Sequence, residues 1–530
     1  MPKVIIVGSG VAATAAALEF ADQGIKPLMI DVGLQPGDDE VVEKNFYDYA
    51  QENDTFDLLI GKSYDGLYNV VNADKAVPAK LAAPQFRFVT RDAEKISPRM
   101  EERFSSIQSF AKGGLANAWG AGLYEYNDDD LAGFPIKHAE LAPFYSKLAR
   151  EIGISGTDDD LTPFWGDVSY LHPPLKLSKN AQILVDHYRR KRSRLNRQGF
   201  FLGRPRLGVL TQEHNGRPAC AYDNLEFWST RLLSIYSPRF TLDRLIKEGK
   251  LDYKSGYVVQ SWQHDDNEIK VQAITLTDNS PVAFTCDKLV VAAGAINSAK
   301  IALASRHDTT TRLGLMDNGA YQIPFFLMPR IGAELERDAF GLTQLNVVYE
   351  SAELNQRLQA SILEITGPAR AEFFSYFPLA ARSSIKLIKY FLPSMMVMQL
   401  FLPEFKSCAD LSLAENGLLV IKGREKRTDR KLLRRIVRFL GKLGGVTHPA
   451  LIVDVKYGHS IHYAGTLPMS DNPQSDYQCD RSGRLHGETG VYVVDGALFP
   501  ALPAKNYSLT VMANAMRICA GIAQEIKSKS

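Results

Sequence analysis

The N-terminal part of the chain carries the pattern that most restricts the fold. A short apolar run, Val4–Val7, is typical of a strand buried on both faces of a parallel sheet. After it come a glycine-rich turn, a helix rich in alanine that ends at Gly24, and a second apolar run that closes on Asp31. The turn reads Gly8-Ser9-Gly10-Val11-Ala12-Ala13. This order of elements predicts a βαβ unit that binds a dinucleotide.

Each position of this pattern has a physical role. Gly8 permits the tight turn, and Gly10 lacks a Cβ atom, so that a pyrophosphate can approach the helix N-terminus. Ala13 is small enough for close packing of the helix against the strand. Asp31, 23 residues after Gly8, is placed to accept a hydrogen bond from a ribose 2′-hydroxyl, and its charge disfavours a 2′-phosphate. The pattern does not separate FAD from NAD, and a glycine turn in another α/β protein is the alternative.

Composition narrows the class of protein. The 62 lysines and arginines nearly balance 60 acidic residues, so the net charge of +2 gives no bulk reason to bind nucleic acid. Five scattered cysteines without a Cys-x-x-Cys pair indicate neither a disulfide scaffold nor a zinc site. No signal sequence is evident, and the most apolar stretch, around residues 395–402, is too short to span a bilayer. We therefore expect a soluble, cytoplasmic protein.

The chain of 530 residues is long enough for several structural units. Apolar runs at 289–293 and 491–494 predict two more buried strands, followed by helices that begin near Asn297 and Ser508. Residues 135–153 have helical spacing, and residues 254–285 alternate like hairpin strands.

Between these segments the chain changes character. Strand-like stretches at 347–350, 397–402 and 418–421 lie in a region, about 320–455, that interrupts the nucleotide-binding pattern. The sequence therefore predicts a mixed α/β fold with a sheet-based second domain inserted into a Rossmann-like domain.

Residues 422–442 are strongly basic. Ten lysines and arginines against two acids give this segment a local charge of +8. Apolar residues recur in it at helical period: Leu432, Ile436, Phe439, Leu440 and Leu443. We expect an amphipathic surface helix whose basic face is either simply solvated or in contact with an anionic partner, such as lipid headgroups or a phosphorylated substrate.

The C-terminal part holds several motifs in a fixed order. The segment His462-Tyr463-Ala464-Gly465-Thr466-Leu467-Pro468-Met469 is followed by Val493-Val494-Asp495-Gly496 and by Asn506-Tyr507-Ser508-Leu509-Thr510. Two glycine-containing turns precede them, Gly113-Gly114-Leu115-Ala116-Asn117-Ala118-Trp119-Gly120 and VVAAGAINS at 290–298. With the N-terminal pattern, these segments resemble the glucose–methanol–choline (GMC) oxidoreductases over most of the chain, nearest the bacterial, pyranose-oxidase-like branch.

The resemblance implies an FAD-dependent enzyme that oxidises a C–OH group by proton abstraction and hydride transfer to flavin N5. His462 would take the hydroxyl proton, which suits an imidazole with an ordinary pKa of about 6.5. Asn506 would hydrogen-bond the same oxygen. The implied FAD-binding domain comprises residues 1–130, 205–320 and 455–530, and the substrate domain and connecting helices comprise 131–204 and 321–454.

The resemblance also implies which residues contact FAD. Asp495 would lie near the ribityl chain or pyrophosphate, and Gly113, Gly114 and Asn117 would line the isoalloxazine ring. The full set of expected cofactor-binding residues is Gly8, Gly10, Val11, Ala12, Ala13, Asp31, Gly113, Gly114, Asn117, Ala118, Val259, Ala293, Gly294, Asp495, Gly496 and Ser508. Ala118 stands where pyranose-oxidase-like members place a histidine that attaches flavin covalently, so we expect non-covalent FAD.

Other departures from the family pattern affect the expected pocket. Tyr507 replaces the usual proline after Asn506, Ser470 stands where glycine is common, and Asp31 stands where glutamate is usual. The first two changes concern the fine geometry around the catalytic pair. Both expected catalytic residues are retained.

Several alternatives remain open from sequence. His462 could be a core histidine or, with His459, part of a metal site, although no further ligand is evident. Asn506 could cap the following helix, and Asp495 could be a turn residue. The protein could also be an NAD(P)H-dependent flavoprotein reductase or a non-catalytic flavin-binding protein. The expected substrate is a sugar or another small alcohol; the electron acceptor (oxygen, a quinone or another compound) and the oligomeric state stay open.

Overall fold

The computed structural model describes residues 3–37, 49, 81, 84–223, 233–265, 268–351, 356–365, 390–426 and 428–529. Among them the strands are β1 (Val4–Val7), β2 (Leu28–Ile30), β3 (Arg99–Glu102), β4 (Phe200–Gly203), β5 (Asp252–Lys254), β6 (Tyr257–Asp265), β7 (Glu268–Thr275), β8 (Pro281–Cys286), β9 (Lys288–Val291), β10 (Leu313–Leu315), β11 (Ala320–Leu327), β12 (Thr343–Ser351), β13 (Gln356–Glu364), β14 (Met395–Phe401), β15 (Ala409–Leu413), β16 (Leu419–Gly423), β17 (Gly445–Val446), β18 (Val453–Val455) and β19 (Val491–Val493). The helices are α1 (Val11–Asp22), α2 (Ala93–Ile96), α3 (His138–Ile152), α4 (Thr162–Trp165), α5 (Lys179–Asn196), α6 (Pro238–Lys247), α7 (Ala295–Ser305), α8 (Arg430–Lys442) and α9 (Ser508–Lys529). These strands form four sheets.

A five-stranded parallel sheet has the order β19-β9-β1-β2-β5. It brings together strands from the start, the middle and the end of the chain. The small side chains of α1, including Ala13, Ala16 and Ala17, are fully buried, which permits the helix to pack closely on its neighbours. The predicted α/β fold class and buried strands are confirmed, whereas α7 begins at Ala295, two residues before the predicted start.

A seven-stranded sheet forms the second large layer. Its main path is β17-β11-β14-β13-β12-β4, and β18 also pairs with β11. Along these strands alternate side chains point to opposite faces. On one face, apolar residues such as Ile323, Ile362 and Met398 form a core with α5 and α8. The other face carries polar residues and faces a cavity.

The two smaller sheets pack against the parallel sheet. The antiparallel strands β6-β7-β8 follow the predicted hairpin pattern, and β10-β15-β16-β3 form the fourth sheet. Leu419 and Ile421 of β16 belong to the same core as β1 and β9, not to the core of the seven-stranded sheet. The domain boundaries expected from the sequence remain a proposal.

The basic helix is present as α8. Asp429 caps its N-terminus by accepting hydrogen bonds from the N–H groups of Lys431 and Leu432, both at 2.9 Å. Its five predicted apolar residues are all buried, and the ring of Phe439 stacks on that of Phe200 at 4.4 Å. Arg427, which belongs to the basic segment, lies outside the described residues. In the part of the chain that the structure describes, no helix is both long and apolar enough to cross a bilayer.

Candidate active site

A cavity of about 510 Å³ lies between the two large sheets. It opens at the carboxyl ends of the parallel strands, where ligands bind in open α/β sheets. Sixteen of the eighteen predicted site residues line it: Gly8, Gly10, Val11, Ala12, Asp31, Gly113, Gly114, Ala118, Val259, Ala293, Gly294, His462, Asp495, Gly496, Asn506 and Ser508. Segments from the whole length of the chain therefore meet at one place.

The first glycine-rich turn shapes one end of the cavity. Gly8 has φ of +94°, and a Cβ atom there would lie 2.7 Å from the carbonyl oxygen of Ala292, so this position requires glycine. Gly10 precedes α1, and a Cβ atom there would have no protein atom within 4 Å. Space for a ligand is therefore present directly at the N-terminus of α1, where backbone N–H groups and the helix dipole favour an anion.

Asp31 lies beside this turn and is engaged by two hydroxyl groups. Ser9 Oγ donates to its Oδ2 atom, as does Tyr253 Oη at 2.9 Å. Ser9 Oγ also accepts from the N–H of Gly113 at 3.0 Å, which joins the two glycine-rich turns. Burial raises the pKa of Asp31 to about 6, although the two hydroxyl donors oppose that shift. Its Oδ1 atom receives no side-chain hydrogen bond from the described residues.

Two predicted cofactor-binding residues do not line the cavity. Ala13 is fully buried within the packing of α1. Asn117 lies in a 3-10 turn, Gly114–Asn117, and its amide Nδ2 donates to the carbonyls of Lys112 at 2.9 Å and Gly114 at 2.7 Å. Its Oδ1 accepts from Ser237 Oγ at 2.9 Å. The amide of Asn117 therefore holds the loop in shape, and its expected contact with the flavin stays a prediction.

Asp495 connects the ends of β9 and β19. Its Oδ2 accepts from the N–H of Gly294 at 2.8 Å and from Ser298 Oγ at 2.5 Å, while Oδ1 accepts from the N–H of Ala497 at 2.9 Å. Burial raises the pKa of this carboxyl group, and the three donors oppose the shift. Asp495 is therefore more than a turn residue, since it fixes two segments of the cavity wall together.

The orientation of His462 is determined by Asn318. The Nδ2 group of Asn318 donates to the backbone carbonyls of Leu402 at 2.8 Å and Pro503 at 3.2 Å, so its Oδ1 atom must face His462. This oxygen lies 2.9 Å from His462 Nδ1 and can only accept. His462 is thus held with its proton on Nδ1, and Nε2 is the unprotonated nitrogen.

Asn506 lies on the Nε2 side of that ring. Gln359 Nε2 donates to Asn506 Oδ1 at 3.3 Å, which directs Asn506 Nδ2 towards His462 Nε2 at 3.4 Å. The amide of Asn506 makes these contacts rather than capping α9. An acceptor nitrogen and a donor amide therefore line the cavity side by side.

A buried carboxylate supports the loop that carries His462. Asp317, with no exposed area, accepts from the N–H of Gly458 at 2.6 Å, from Ser460 Oγ and from the N–H of His462 at 2.9 Å. Burial raises its pKa to about 6. The intervening Ile461 has φ of +63°, a strained conformation for a β-branched residue that persists only where surrounding contacts hold it. The strain lies next to the candidate base.

Sequence reasoning missed Asp317, Asn318 and Gln359. No short motif surrounds them. Asp317 and Asn318 lie between β10 and β11, and Gln359 lies on β13, so all three are far from His462 in sequence. The proposed metal pair finds no support in the geometry: among the described residues no three histidine, cysteine or acidic side chains gather to hold a metal. His459 lines the cavity, and its buried Nε2 atom has no hydrogen-bond partner among the described residues.

Comparisons with known proteins agree with this geometry. Residues 448–515 match a family model for the C-terminal domain described as GMC oxidoreductase. No curated protein matches the chain in sequence. Pyridoxine 4-oxidase from Mesorbium loti has a similar structure, with a TM-score of 0.59 and 12% identity over 100% of this chain and 99% of that one.

A formate oxidase from Aspergillus oryzae, solved to examine the effect of a mutation on FAD modification, is also similar in structure. The TM-score is 0.61 and the identity 12%, over 100% of this chain and 99% of that one. The shared fold and the matched C-terminal segment define an enzyme of the oxidoreductase class. The segment 448–515 therefore resembles the C-terminal domain of GMC oxidoreductases, a family that uses FAD as its cofactor.

Proposed function

We propose that the protein oxidises a polar alcohol with FAD as the electron acceptor at the site, and that His462 is the base. The observation that carries this proposal is the hydrogen-bond chain from Asn318 through His462 to Asn506. It presents an unprotonated imidazole nitrogen and an amide donor to the cavity. A hydroxyl group needs both partners, one to take its proton and one to stabilise the oxygen.

The cavity fits FAD. The open space at Gly10 and the N-terminus of α1 suit a pyrophosphate, and Asp31 has an oxygen that can accept from a ribose hydroxyl. The orphaned Nε2 atom of His459 supports the presence of a polar ligand group near the catalytic pair. The 113–122 loop and the His462 segment supply further parts of the wall. When bound, FAD would accept the carbon-bound hydrogen of the alcohol together with two electrons.

The chain's own residues handle the proton. His462 Nε2 takes the proton of the substrate hydroxyl, while Nδ1 keeps its hydrogen bond to Asn318 and the ring keeps its orientation. Asn506 Nδ2 donates to the same oxygen as negative charge develops on it. Asp317 holds the backbone of His462 and so preserves the distance between these groups. The product is the corresponding aldehyde or ketone.

The absence of a histidine at Ala118 supports a non-covalent cofactor. Ala118 lines the cavity, and its methyl group cannot form a bond to the flavin. Acid precipitation of the purified holoprotein should therefore leave the flavin in the supernatant. Yellow colour retained in the washed precipitate would show a covalent link elsewhere.

The polar face of the seven-stranded sheet supports a hydroxylated substrate. Gln322, Gln399, Ser361 and Asn346 stand opposite one another on the four neighbouring strands β11, β14, β13 and β12. The first three line the cavity. The amide of Gln399 makes no hydrogen bond with the described residues, and Gln359 Oε1 is buried without a partner among them. Such groups favour a substrate with several hydroxyl groups, such as a sugar.

The substrate class can be tested with a matched pair of alcohols. A pyranose sugar and tetrahydropyran-2-methanol share the ring and the CH₂OH group, but only the sugar carries ring hydroxyls. We expect the wild-type protein to prefer the sugar, and Gln399→Met to reduce this preference about tenfold. Gln263→Met, on an exposed part of β6, is the matched control. A wild-type preference for the simple alcohol would contradict a sugar-like substrate.

The reaction itself is tested by reduction of bound flavin without oxygen. We expect candidate alcohols to bleach the flavin, and NADPH alone to leave it oxidised. His462→Ala should retain flavin but slow its reduction by ~10²-fold or more, because the base is lost. His486→Ala, at an exposed histidine, should behave like wild type. Bleaching by NADPH alone would favour the reductase alternative, and no bleaching by any donor a non-catalytic flavin protein.

We also place the protein in the cytoplasm. All five cysteines are free thiols, and four of them are buried, which suits a reducing compartment.

A further inference from the structure

Two basic helices lie side by side on the outer face of the seven-stranded sheet. Apolar side chains of α5 and α8, such as Leu184 and Ile436, share one core against that sheet. The Nζ group of Lys191 donates to the carbonyl of Lys442 at 2.6 Å, and Lys442 Nζ donates to Gln198 Oε1 at 2.5 Å. The solvent-facing sides of the helices therefore form one continuous area, here called the basic surface (exposed residues of 179–197 and 430–442).

The charge of the basic surface stands out from that of the whole protein. Residues 179–197 hold seven lysines and arginines and one acid, and residues 430–442 hold six and none, a net charge of +12. The entire chain carries only +2. The remaining residues are therefore net acidic, and the molecule is strongly polarised.

Many of these charges lack acidic neighbours. Arg192 pairs with Asp160, and Arg189 lies 4.0 Å from Asp186. The exposed arginines Arg190, Arg194, Arg434 and Arg438 make no ion pair with the described residues. Burial lowers the pKa of Lys442, and the charges of Arg194, Arg438 and Lys191 lower it further, as expected where two cationic helices meet.

Exposed apolar side chains lie at the end of the sheet just beyond α8. Val446 pairs with Phe326 in the β17–β11 contact, and Met328 follows the end of β11. The ring of Phe391 packs on Phe326 at 5.8 Å and on Tyr390 at 5.8 Å. Val446, Met328 and Tyr390 are 50%, 59% and 58% exposed, which is unusual for such residues.

We propose that the basic surface binds the surface of an anionic lipid bilayer, with Val446, Met328 and Tyr390 entering the headgroup region at its edge. Clustered lysines and arginines beside exposed apolar residues are the combination that such a surface attracts. The two helices already bury their apolar sides in the core, so they lie on the bilayer without inserting. Because the cavity is on the opposite face of the same sheet, this contact leaves His462 uncovered.

Nucleic acid is the competing anionic partner, and the structure disfavours it. Tyr188 and Phe439, the aromatic residues of α5 and α8, are buried in the core and cannot stack on bases. Contact with a phosphate backbone would not bury the exposed apolar residues at the edge. Contact with lipid would bury them and so strengthen binding.

Binding of the flavin-loaded protein to vesicles tests the proposal without reference to catalysis. Vesicles of phosphatidylcholine alone are compared with vesicles that contain about 30% phosphatidylserine, at about 0.1 M and 0.5 M salt. Each lysine or arginine near such a surface strengthens binding by about fivefold. We expect Arg434→Gln/Arg438→Gln on α8 and Arg190→Gln/Arg194→Gln on α5 each to weaken binding by about 25-fold.

Matched variants separate the contributions. Lys247→Gln/Lys527→Gln removes two exposed charges from α6 and α9 and should bind like wild type. Met328→Ser/Val446→Ser should remove the binding that survives at high salt. Flavin absorbance and melting temperature confirm that each variant is folded. Equal binding to both kinds of vesicle, loss of binding in the α8 variant alone, or binding to duplex DNA without binding to vesicles would each overturn the proposal.

Discussion

At the scale of single residues, the proton on His462 is controlled by a neutral group rather than by a carboxylate. Asn318 offers its only oxygen to Nδ1 because its NH₂ group is occupied by backbone carbonyls. A neutral partner fixes the tautomer without strongly favouring the charged imidazolium. The ring therefore presents Nε2 as an acceptor to the cavity and keeps its direction.

Removal of the Asn318 side chain should weaken catalysis more than substrate binding. In Asn318→Ala the Nδ1 proton loses its acceptor, and the ring can populate the tautomer in which Nε2 carries the proton. We expect flavin reduction at saturating substrate to slow by about tenfold, while KM changes by less than about threefold. Stopped-flow reduction of the holoenzyme measures this. A change confined to KM would show that Asn318 contributes to binding instead.

Glu364 should make stability depend on pH. It accepts from Ser178 Oγ and from Asn180 Nδ2 at 3.2 Å, and burial raises its pKa to about 7 from an ordinary 4.5. The charge of Glu336 raises the pKa further, and that of Arg330 lowers it. Because the folded state holds this proton more tightly than the unfolded state, stability falls as pH rises from about 4.5 to about 7.

Glu364→Gln removes that titration. Relative to wild type, the variant should gain on the order of 1–2 kcal/mol in free energy of unfolding at pH 8 and almost nothing at pH 5. Urea denaturation of the holoprotein at both pH values measures the difference. Glu213→Gln, at an exposed glutamate, should show no such dependence. An equal effect of Glu364→Gln at both pH values would show that the carboxyl group does not titrate differently in the folded state.

Motifs predicted the cavity-facing pair but not its supports. His462 and Asn506 stand in short segments with recognisable order, so sequence alone could bring them together. Asp317, Asn318 and Gln359 depend on where β10, β11 and β13 end up in the fold. Their neighbours in sequence carry no signal, because their function arises only when distant strands meet.

At the scale of elements, the turn before α1 separates two reasons for glycine. Gly8 has a positive φ and a close neighbour, whereas Gly10 has ordinary φ of −66° and empty space beyond it. Gly8 is needed for the backbone conformation of the turn, and Gly10 leaves space for the ligand.

Two substitutions should show this difference. In Gly10→Val the new side chain enters the space expected for a pyrophosphate, so we expect a folded apoprotein that takes up no FAD. In Gly8→Ala the Cβ atom meets the carbonyl of Ala292, and we expect a loss of roughly 2–4 kcal/mol in stability in addition to any loss of cofactor. Flavin absorbance and urea denaturation of both variants measure the two effects. A fully flavinated Gly10→Val protein would contradict the assigned phosphate site.

Elements with a strong local pattern were predicted well, and those defined by distant partners were not. Buried strands such as β1, β9 and β19 are continuous apolar runs, and α3 shows clear helical spacing. The sequence does not show that the basic run of α5 forms one surface with α8, because this depends on the position of the two helices in the fold. The placement of β16 in the core of the parallel sheet also depends on its partner β3, more than 300 residues earlier.

At the scale of the whole molecule, the cavity is the boundary between two separate cores. The parallel sheet and its helices form one core, and the seven-stranded sheet with α5 and α8 forms the other. Both contribute residues to the cavity wall, including Gly10 from one side and Gln399 from the other. A ligand that fills the cavity therefore contacts both cores and couples their stabilities.

Calorimetry of the apoprotein and the FAD-loaded protein should reveal this coupling. Without FAD we expect the two cores to unfold in separate or broadened transitions, since each is a distinct cluster of buried apolar side chains. With free FAD at about 100 times its Kd, the core that contacts the cofactor gains about 2.7 kcal/mol, and the transitions should move up in temperature and merge. Gly10→Val, which should not take up FAD, is the control and should keep the apoprotein profile. If FAD shifts only one transition and leaves the other in place, the cofactor contacts a single core, and the seven-stranded sheet is held to the rest of the protein by other means.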